Sequence, residues 1–94
     1  MNLVWTREAL SDRIDIREYI AQDNLAAALT LDELFSEKAC RLLDHPQIGR
    51  SGRVEGTREL VGHPSYVMIY DITPDSVRVL RILDGARQWP PFMP

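Results

Sequence analysis

The alternation of hydrophobic and polar positions divides the chain into an opening strand, two helices and three further strands. Residues 3–5 form a short apolar run (Leu-Val-Trp) that predicts a strand. Thr6 follows in the position of a helix N-cap, and Glu8 lies in the first turn, where the helix dipole favours an acid. A first helix is therefore predicted from about residue 7 to residue 21.

The segment from about residue 25 to residue 44 has the clearest helical pattern. Asn24 is suited to cap its N-terminus and Pro46 ends it. Its apolar side chains recur at helical spacing and are predicted to face a core: Ala28, Leu31, Leu34, Phe35, Ala39 and Leu42. Cys40 lies in the same apolar stretch and is predicted to be a small buried side chain rather than a reactive thiol.

After Pro46 the pattern changes from helix to strand. Residues 47–56 contain three interleaved glycines and predict a loop. Three segments rich in β-branched and aromatic residues predict strands: 57–61, 66–72 and 76–83. In the last of them, simple alternation places Val77, Val79 and Arg81 on one face, and Arg78, Leu80 and Ile82 on the other.

The order of elements predicts an α+β fold formed by residues 1–94 as a single domain. Short links between the last three strands imply an antiparallel meander. The two helices must pack on one face of this small sheet to bury their apolar stripes. The opposite face is then free to bind a partner.

Composition is that of an ordinary globular protein, with 94 residues of which 45% are hydrophobic and 27% charged. A single cysteine excludes a disulfide framework and the cysteine-rich zinc patterns. The N-terminus lacks a signal-peptide pattern, and no apolar run approaches the roughly 20 residues that span a bilayer. We therefore expect a cytoplasmic protein that needs no metal and no cofactor.

The net charge of −3 is unfavourable for a nucleic-acid binder, but the charge is unevenly distributed. Residues 1–47 carry 5 basic and 9 acidic groups, and residues 48–94 carry 6 basic and 5 acidic groups. The basic groups of the second half are all arginines: Arg50, Arg53, Arg58, Arg78, Arg81 and Arg87. An arginine matches the geometry of a phosphate or a carboxylate, although ordinary surface solvation is the alternative for each of them.

Three ordered segments of the second half resemble the RelE/ParE toxin family: Gly52–Val61, His63–Tyr66 and Val79–Pro90. The helical pair before them resembles the N-terminal half of that family, so the resemblance covers nearly the whole chain. It implies two helices against a small, mostly antiparallel sheet. It also implies a type II toxin–antitoxin system, in which a cognate antitoxin wraps the toxin.

The resemblance leaves three functions open. RelE-like members cleave messenger RNA inside the ribosome without a metal, and this translation-inhibiting endonuclease (mRNA interferase) is the first hypothesis. ParE-like members poison DNA gyrase and have no nuclease site. The third possibility is a degenerate toxin that only binds its antitoxin. Val67 stands where nucleases often carry arginine, and Asp84 stands where many relatives have histidine, so both positions depart from the nuclease pattern.

Cleavage by the RNA's own 2′-hydroxyl requires a base, cations that stabilise the phosphorane and an acid for the leaving oxygen. The resemblance aligns Arg87 with an arginine that acts on the scissile phosphate. The predicted catalytic set is Arg87, Arg58, Arg53, Arg81 and Asp84, and the predicted RNA-binding set is Arg50, Arg53 and Tyr66. We expect Arg53, Arg58 and Arg87 to converge on the uncovered side of the sheet. Alternatively, Arg58 pairs with Glu59 or Asp84, and Arg87 binds acidic residues of the antitoxin.

Overall fold

The computed structural model describes residues 1–63 and 65–85. Its elements are β1 (Asn2–Trp5), α1 (Arg7–Ala21), α2 (Leu25–Asp44), β2 (Arg50–Ser51), β3 (Thr57–His63), β4 (Tyr66–Ile72) and β5 (Ser76–Asp84). The predicted order of strand, two helices and antiparallel meander is confirmed. Within the described residues, neither helix is long and apolar enough to cross a membrane.

The strands form one mixed sheet in the order β1-β5-β4-β3-β2. β1 pairs in parallel with β5, from Asn2 opposite Ser76 to Trp5 opposite Val79, and the other neighbours are antiparallel. A parallel pair needs a long crossover, and the α1–α2 hairpin provides it. The first described strand, β1, therefore forms one edge of the sheet, and the last described strand, β5, lies beside it.

The two helices pack on one face of the sheet and bury a continuous core. Their buried side chains contact the same face of β4 and β5, and the main cluster comprises Ala9, Leu31, Phe35, Ala39, Met68, Val79 and Ile82. A smaller cluster of Leu42, Tyr70 and Val77 continues the core toward the end of α2. The predicted apolar stripe of α2 is thereby confirmed: five of its six side chains are buried, and the sixth, Leu34, is partly buried against the core.

Side-chain caps fix where each helix begins. The Thr6 hydroxyl accepts a hydrogen bond from Ala9 N at 3.1 Å and donates one to Leu80 O at 2.9 Å. It therefore caps α1 and ties it to β5 at the same time. Asn24 Oδ1 accepts from Ala27 N at 3.0 Å at the start of α2. Both caps satisfy backbone N–H groups that have no partner inside the helix.

Cys40 is exposed, so the prediction of a buried side chain is wrong. The core stripe of α2 passes through Ala39 and Leu42. Each helical residue is rotated by about 100° from the one before it, which turns Cys40 away from that stripe. An apolar neighbourhood in sequence therefore does not place this side chain in the core.

The shared face predicted for Val77 and Val79 is confirmed, but the faces predicted for Arg81 and Ile82 are wrong, because a β-bulge interrupts the alternation of β5. The register between β4 and β5 shifts, so that Ile69 pairs with Arg81 and Tyr70 pairs with Val79. Leu80 is the extra residue. Beyond it, Ile82 joins Val77 and Val79 on the helix-covered face. Arg81 stands opposite Ile69, and its guanidinium reaches Asp12 of α1 at the edge of β5.

Candidate functional site

The uncovered face of the sheet carries a shallow cleft of about 80 Å³ at the end of β3, β4 and β5. Glu59 lies opposite Ile69 in the register of β3 and β4, which places both side chains on this face. The cleft is lined by Arg50, Arg53, Glu59, Val67, Ile69, Leu83, Asp84 and Gly85. Three of the predicted site residues, Arg50, Arg53 and Asp84, therefore meet around an apolar floor.

Glu59 organises the basic side of the cleft. Arg50 donates from Nη2 to Glu59 Oε1 at 3.0 Å and from Nε to the same oxygen at 3.3 Å. The backbone N–H of Arg53 donates to Glu59 Oε2 at 3.2 Å. The Arg53 guanidinium itself has no hydrogen bond or ion pair in the described part of the chain. The Arg53 guanidinium is therefore available to a binding partner, whereas the Arg50 guanidinium is already paired with the Glu59 carboxylate.

This pairing depends on β2, a two-residue strand inside the segment predicted as a loop. Arg50 lies opposite Glu59, and Ser51 lies opposite Arg58. Opposite charges directly across an antiparallel pair attract one another. The short strand and the ion pair therefore reinforce each other at the edge of the sheet.

Arg58 lies on the helix-covered face and not in the cleft. It stands opposite Tyr70, which is fully buried against α2. Its Nη1 donates to the carbonyl oxygens of Gly49 at 2.7 Å and Gln47 at 3.3 Å. The expected convergence of Arg53 and Arg58 on the uncovered side is therefore wrong, and so is the alternative pairing of Arg58 with Glu59 or Asp84.

The loop that Arg58 holds is also anchored by Tyr70. Its hydroxyl donates to Pro46 O at 2.7 Å and accepts from Gly49 N at 2.9 Å. A Cβ added at Gly49 would come within 2.6 Å of that hydroxyl oxygen, so only glycine permits this close approach. Arg58 and Tyr70 together fix the path of the chain from α2 to β2.

Arg81 is bound by Asp12 of α1. Asp12 accepts from Arg81 Nε at 2.7 Å and Nη2 at 3.1 Å, and from the backbone N–H of Ile82 at 2.9 Å. These hydrogen bonds favour the charged guanidinium and raise the pKa of Arg81 despite its partial burial. Asp12 is only 9% exposed. Asp12 was not predicted from the sequence as a partner of Arg81. Its position between Ala9 and Ile16, on the face of α1 that packs against the core, indicates an acid that needs a partner when buried.

Arg78 is matched in the same way by Asp71, which is its cross-strand neighbour in β4. Its Nε donates to Asp71 Oδ1 at 2.8 Å, and its Nη2 donates to Oδ2. The hydrogen-bonded carboxylate raises the pKa of Arg78. Of the five arginines described between positions 48 and 85, only Arg53 therefore has a guanidinium without an internal partner.

Tyr66 and Asp84 stand opposite one another at the end of β4 and β5. The Tyr66 ring packs edge-on against Phe35 with ring centroids 5.8 Å apart, so it belongs to the helix-covered face. Burial, followed by the charge of Asp84 and the nearby Tyr19, raises the pKa of Tyr66. Tyr66 therefore lies on the opposite side of the sheet from Arg50 and Arg53, the other two members of the predicted RNA-binding set. Arg87 lies outside the described residues.

No group of three or more histidine, cysteine, aspartate or glutamate side chains in residues 1–63 and 65–85 is arranged to hold a metal ion. Chemistry at the cleft would rest on Arg53 and on Asp84, which lines it from the end of β5. Such an arrangement can bind an anion or a polar protein surface. Arg50, Arg58, Arg78 and Arg81 are each bound to a carboxylate or a carbonyl of the chain itself.

Comparison with known proteins gives a consistent result. Residues 3–89 match the family model described as the ParE toxin of the type II toxin–antitoxin system parDE. A chain of the chromosomal ParDE system from P. aeruginosa superposes with a TM-score of 0.79 at 25% identity, covering 89% of this chain and 95% of that one. YafQ from E. coli strain BL21(DE3) shares the fold, with a TM-score of 0.57 at 14% identity and coverage of 90% and 93%.

Two curated relatives match over nearly their whole length. The putative toxin Y4kP of Sinorhizobium fredii is 34% identical over 87 residues, which are 92% of this chain and 90% of the relative. The toxin RelE2 of Caulobacter vibrioides is 36% identical over 85 residues, which are 90% of this chain and 96% of the relative.

Proposed function

The chain belongs to the ParE toxin family of type II toxin–antitoxin systems, and from this premise we propose that it poisons DNA gyrase by binding it and does not cut RNA. It is the toxin of such a system, and its partner is a cognate antitoxin. Gyrase and its DNA substrate are cytoplasmic in bacteria, so the proposal places the toxin there. DNA gyrase is the target that the resemblance to ParE-like members of the family implies.

The observation that carries the proposal is the internal pairing of the arginines. Arg50, Arg58 and Arg81 were candidates for RNA binding or cleavage, yet each donates to a carboxylate or a carbonyl of its own chain. Asp12, the partner of Arg81, is 9% exposed, so drawing Arg81 away from it would leave a buried charge unmatched at a cost of several kcal/mol. The Arg50 side chain is 64% exposed, so its pair with Glu59 is weaker. A phosphate in the cleft would therefore find Arg53 and no preformed cluster of cations among the described residues.

The surface supports contact with a protein better than contact with a polyanion. The overall charge is −3, which opposes association with RNA. Large apolar side chains are exposed on both helices, in the loop before β2 and on β3: Leu10, Ile14, Tyr19, Leu25, Leu29, Ile48 and Val61. Leu10 and Ile14 on α1, and Leu25 and Leu29 on α2, are spaced four residues apart, so the two members of each pair are neighbours on the helix surface. Contiguous exposed apolar side chains mark protein-binding surfaces, whereas single scattered ones do not.

Ribosome-dependent cleavage of messenger RNA is the second candidate. The unpaired Arg53 guanidinium and the carboxylate of Asp84 line the same cleft, so one cation and one potential base are present together. One of the relatives is also named as a RelE toxin. On this alternative Arg87 and Arg53 would bind the scissile phosphate, and an Arg53→Ala variant would lose cleavage.

Two assays on the same purified toxin separate these functions. In the first, relaxed plasmid is supercoiled by gyrase with and without the toxin; in the second, translating ribosomes are incubated with the toxin and the messenger RNA is examined for cuts. We expect loss of supercoiling, intact RNA and full recovery when the purified cognate antitoxin is added. Cut RNA with unaffected gyrase would overturn the proposal. Absence of both effects would also overturn it and would leave antitoxin binding as the only function.

A further inference from the structure

A second concavity, of about 410 Å³, lies between α1 and the ends of β4 and β5 on the helix-covered side. Its α1 wall carries Asp15, Ile16 and Tyr19, and its sheet wall carries Tyr66 and Asp84. Asp12 and Ile82 form its floor, where Asp12 is bound to Arg81. We call this concavity the acidic-aromatic groove. Asp84, at the end of β5, lines both this groove and the cleft on the uncovered face, and the other lining residues of the two differ.

The groove offers negative charge and aromatic surface together. Its lining contains three carboxylates and no lysine or arginine. The carboxylate of Asp15 has no hydrogen bond or ion pair in the described part of the chain. Tyr19 is 70% exposed, so most of its ring is available to a partner. The charge of Asp84 also acts on Tyr66, whose pKa it helps to raise.

We propose that this groove receives a segment of the cognate antitoxin in which a lysine or arginine is flanked by apolar residues. The cation would lie between the Asp15 carboxylate and the faces of the two tyrosines, where carboxylate and π-electron attraction act together. The aliphatic stem and its apolar neighbours would cover Ile16 and the tyrosine rings. The acidic balance of residues 1–47 attracts a segment of opposite charge.

The proposal rests on the toxin–antitoxin family and not on the choice between gyrase and RNA as target. It is tested by binding alone: the full-length cognate antitoxin is titrated into the purified toxin by calorimetry. Asp15→Asn is expected to raise Kd roughly tenfold, because it leaves the antitoxin cation without its carboxylate. Tyr19→Ala is expected to raise Kd about thirtyfold, as for other aromatic anchors. Tyr19→Phe keeps the ring and should retain most of the affinity.

Asp23→Asn is the matched control, because it removes one acid of the turn that follows α1, and this acid does not line the groove. It should leave Kd unchanged. The Kd of the wild-type toxin should also rise with salt more steeply than that of Asp15→Asn. The proposal is overturned if Asp15→Asn and Tyr19→Ala bind the antitoxin as the wild type does, or if Asp23→Asn weakens binding as much as Asp15→Asn. Neither outcome bears on gyrase inhibition, which is measured separately.

Discussion

Replacing Asp12 with alanine removes the carboxylate that joins α1 to the edge of β5. The pairing of β1 with β5 ends at Val79, so beyond that point the edge of β5 has no neighbouring strand. Asp12 takes the place of that strand by accepting from the Ile82 N–H and from two nitrogens of Arg81. The variant therefore leaves a buried N–H without a partner and a guanidinium without its counter-ion.

The expected loss of stability is about 3 kcal/mol. Breaking one side of a buried ion pair costs about 3–5 kcal/mol, and leaving a buried N–H unpaired contributes about 1–3 kcal/mol of this. The Arg81 side chain is 24% exposed, so water recovers part of the loss and the lower end of the range applies. For a domain of this size the midpoint of thermal unfolding should fall by about 15 °C. Asp12→Asn keeps one acceptor and should cost about half as much.

Urea denaturation of four proteins measures the coupling between Asp12 and Arg81 directly: wild type, Asp12→Ala, Arg81→Ala and the double variant. A double-mutant cycle should give a coupling free energy of about 2 kcal/mol. If Asp12→Ala costs the same with and without Arg81, the two side chains are not coupled. Such a result, or a loss below about 1 kcal/mol for Asp12→Ala, would refute the reasoning.

Three further predictions concern stability. Thr6→Ala removes the cap of α1 and the hydrogen bond to Leu80 O, and should lower the free energy of unfolding, measured by urea denaturation, by about 1–2 kcal/mol. Thr6→Ser keeps the hydroxyl and should retain most of that free energy. Tyr70→Phe removes the anchor of the loop before β2 and should cost about 1–3 kcal/mol, visible also as faster amide exchange at Gly49. The pKa of Tyr66 is raised above its ordinary 10.0, so its contribution to stability is complete below that pH and is lost as the pH rises through the folded-state pKa. The free energy of unfolding should therefore fall above pH 10.0, and more steeply in the wild type than in Tyr66→Phe. An identical fall in the wild type and in Tyr66→Phe would contradict this role of Tyr66.

The bounds of both helices and the turn between the last two strands could be predicted because local signals determine them. Thr6 and Asn24 cap the helices at the predicted positions, and α1 and α2 span the residues expected. Turn residues likewise separate the last two strands where predicted, at Thr73 to Asp75. Each of these features depends on residues within three or four positions in sequence.

The partners of the arginines could not be predicted, because they depend on tertiary register. The bulge at Leu80 reverses the faces of β5 beyond Val79, which determines where Arg81 points. The pairing of Arg50 with Glu59 requires β2, whose two residues carry no strand pattern of their own. Asp12 and Arg81 are 69 positions apart and meet only when α1 packs beside β5. The predicted roles of Arg53, Asp84 and Arg87 at a site remain predictions.

The superhelical density of a reporter plasmid after induction of this toxin in cells tests the central proposal most directly. If the toxin acts on gyrase, plasmid topoisomers resolved on a chloroquine gel should shift toward the relaxed form soon after induction, while a reporter messenger RNA remains full-length. Co-induction of the cognate antitoxin should restore the supercoiled distribution. Unchanged topoisomers together with fragmented reporter RNA would contradict the proposal and establish the nuclease instead.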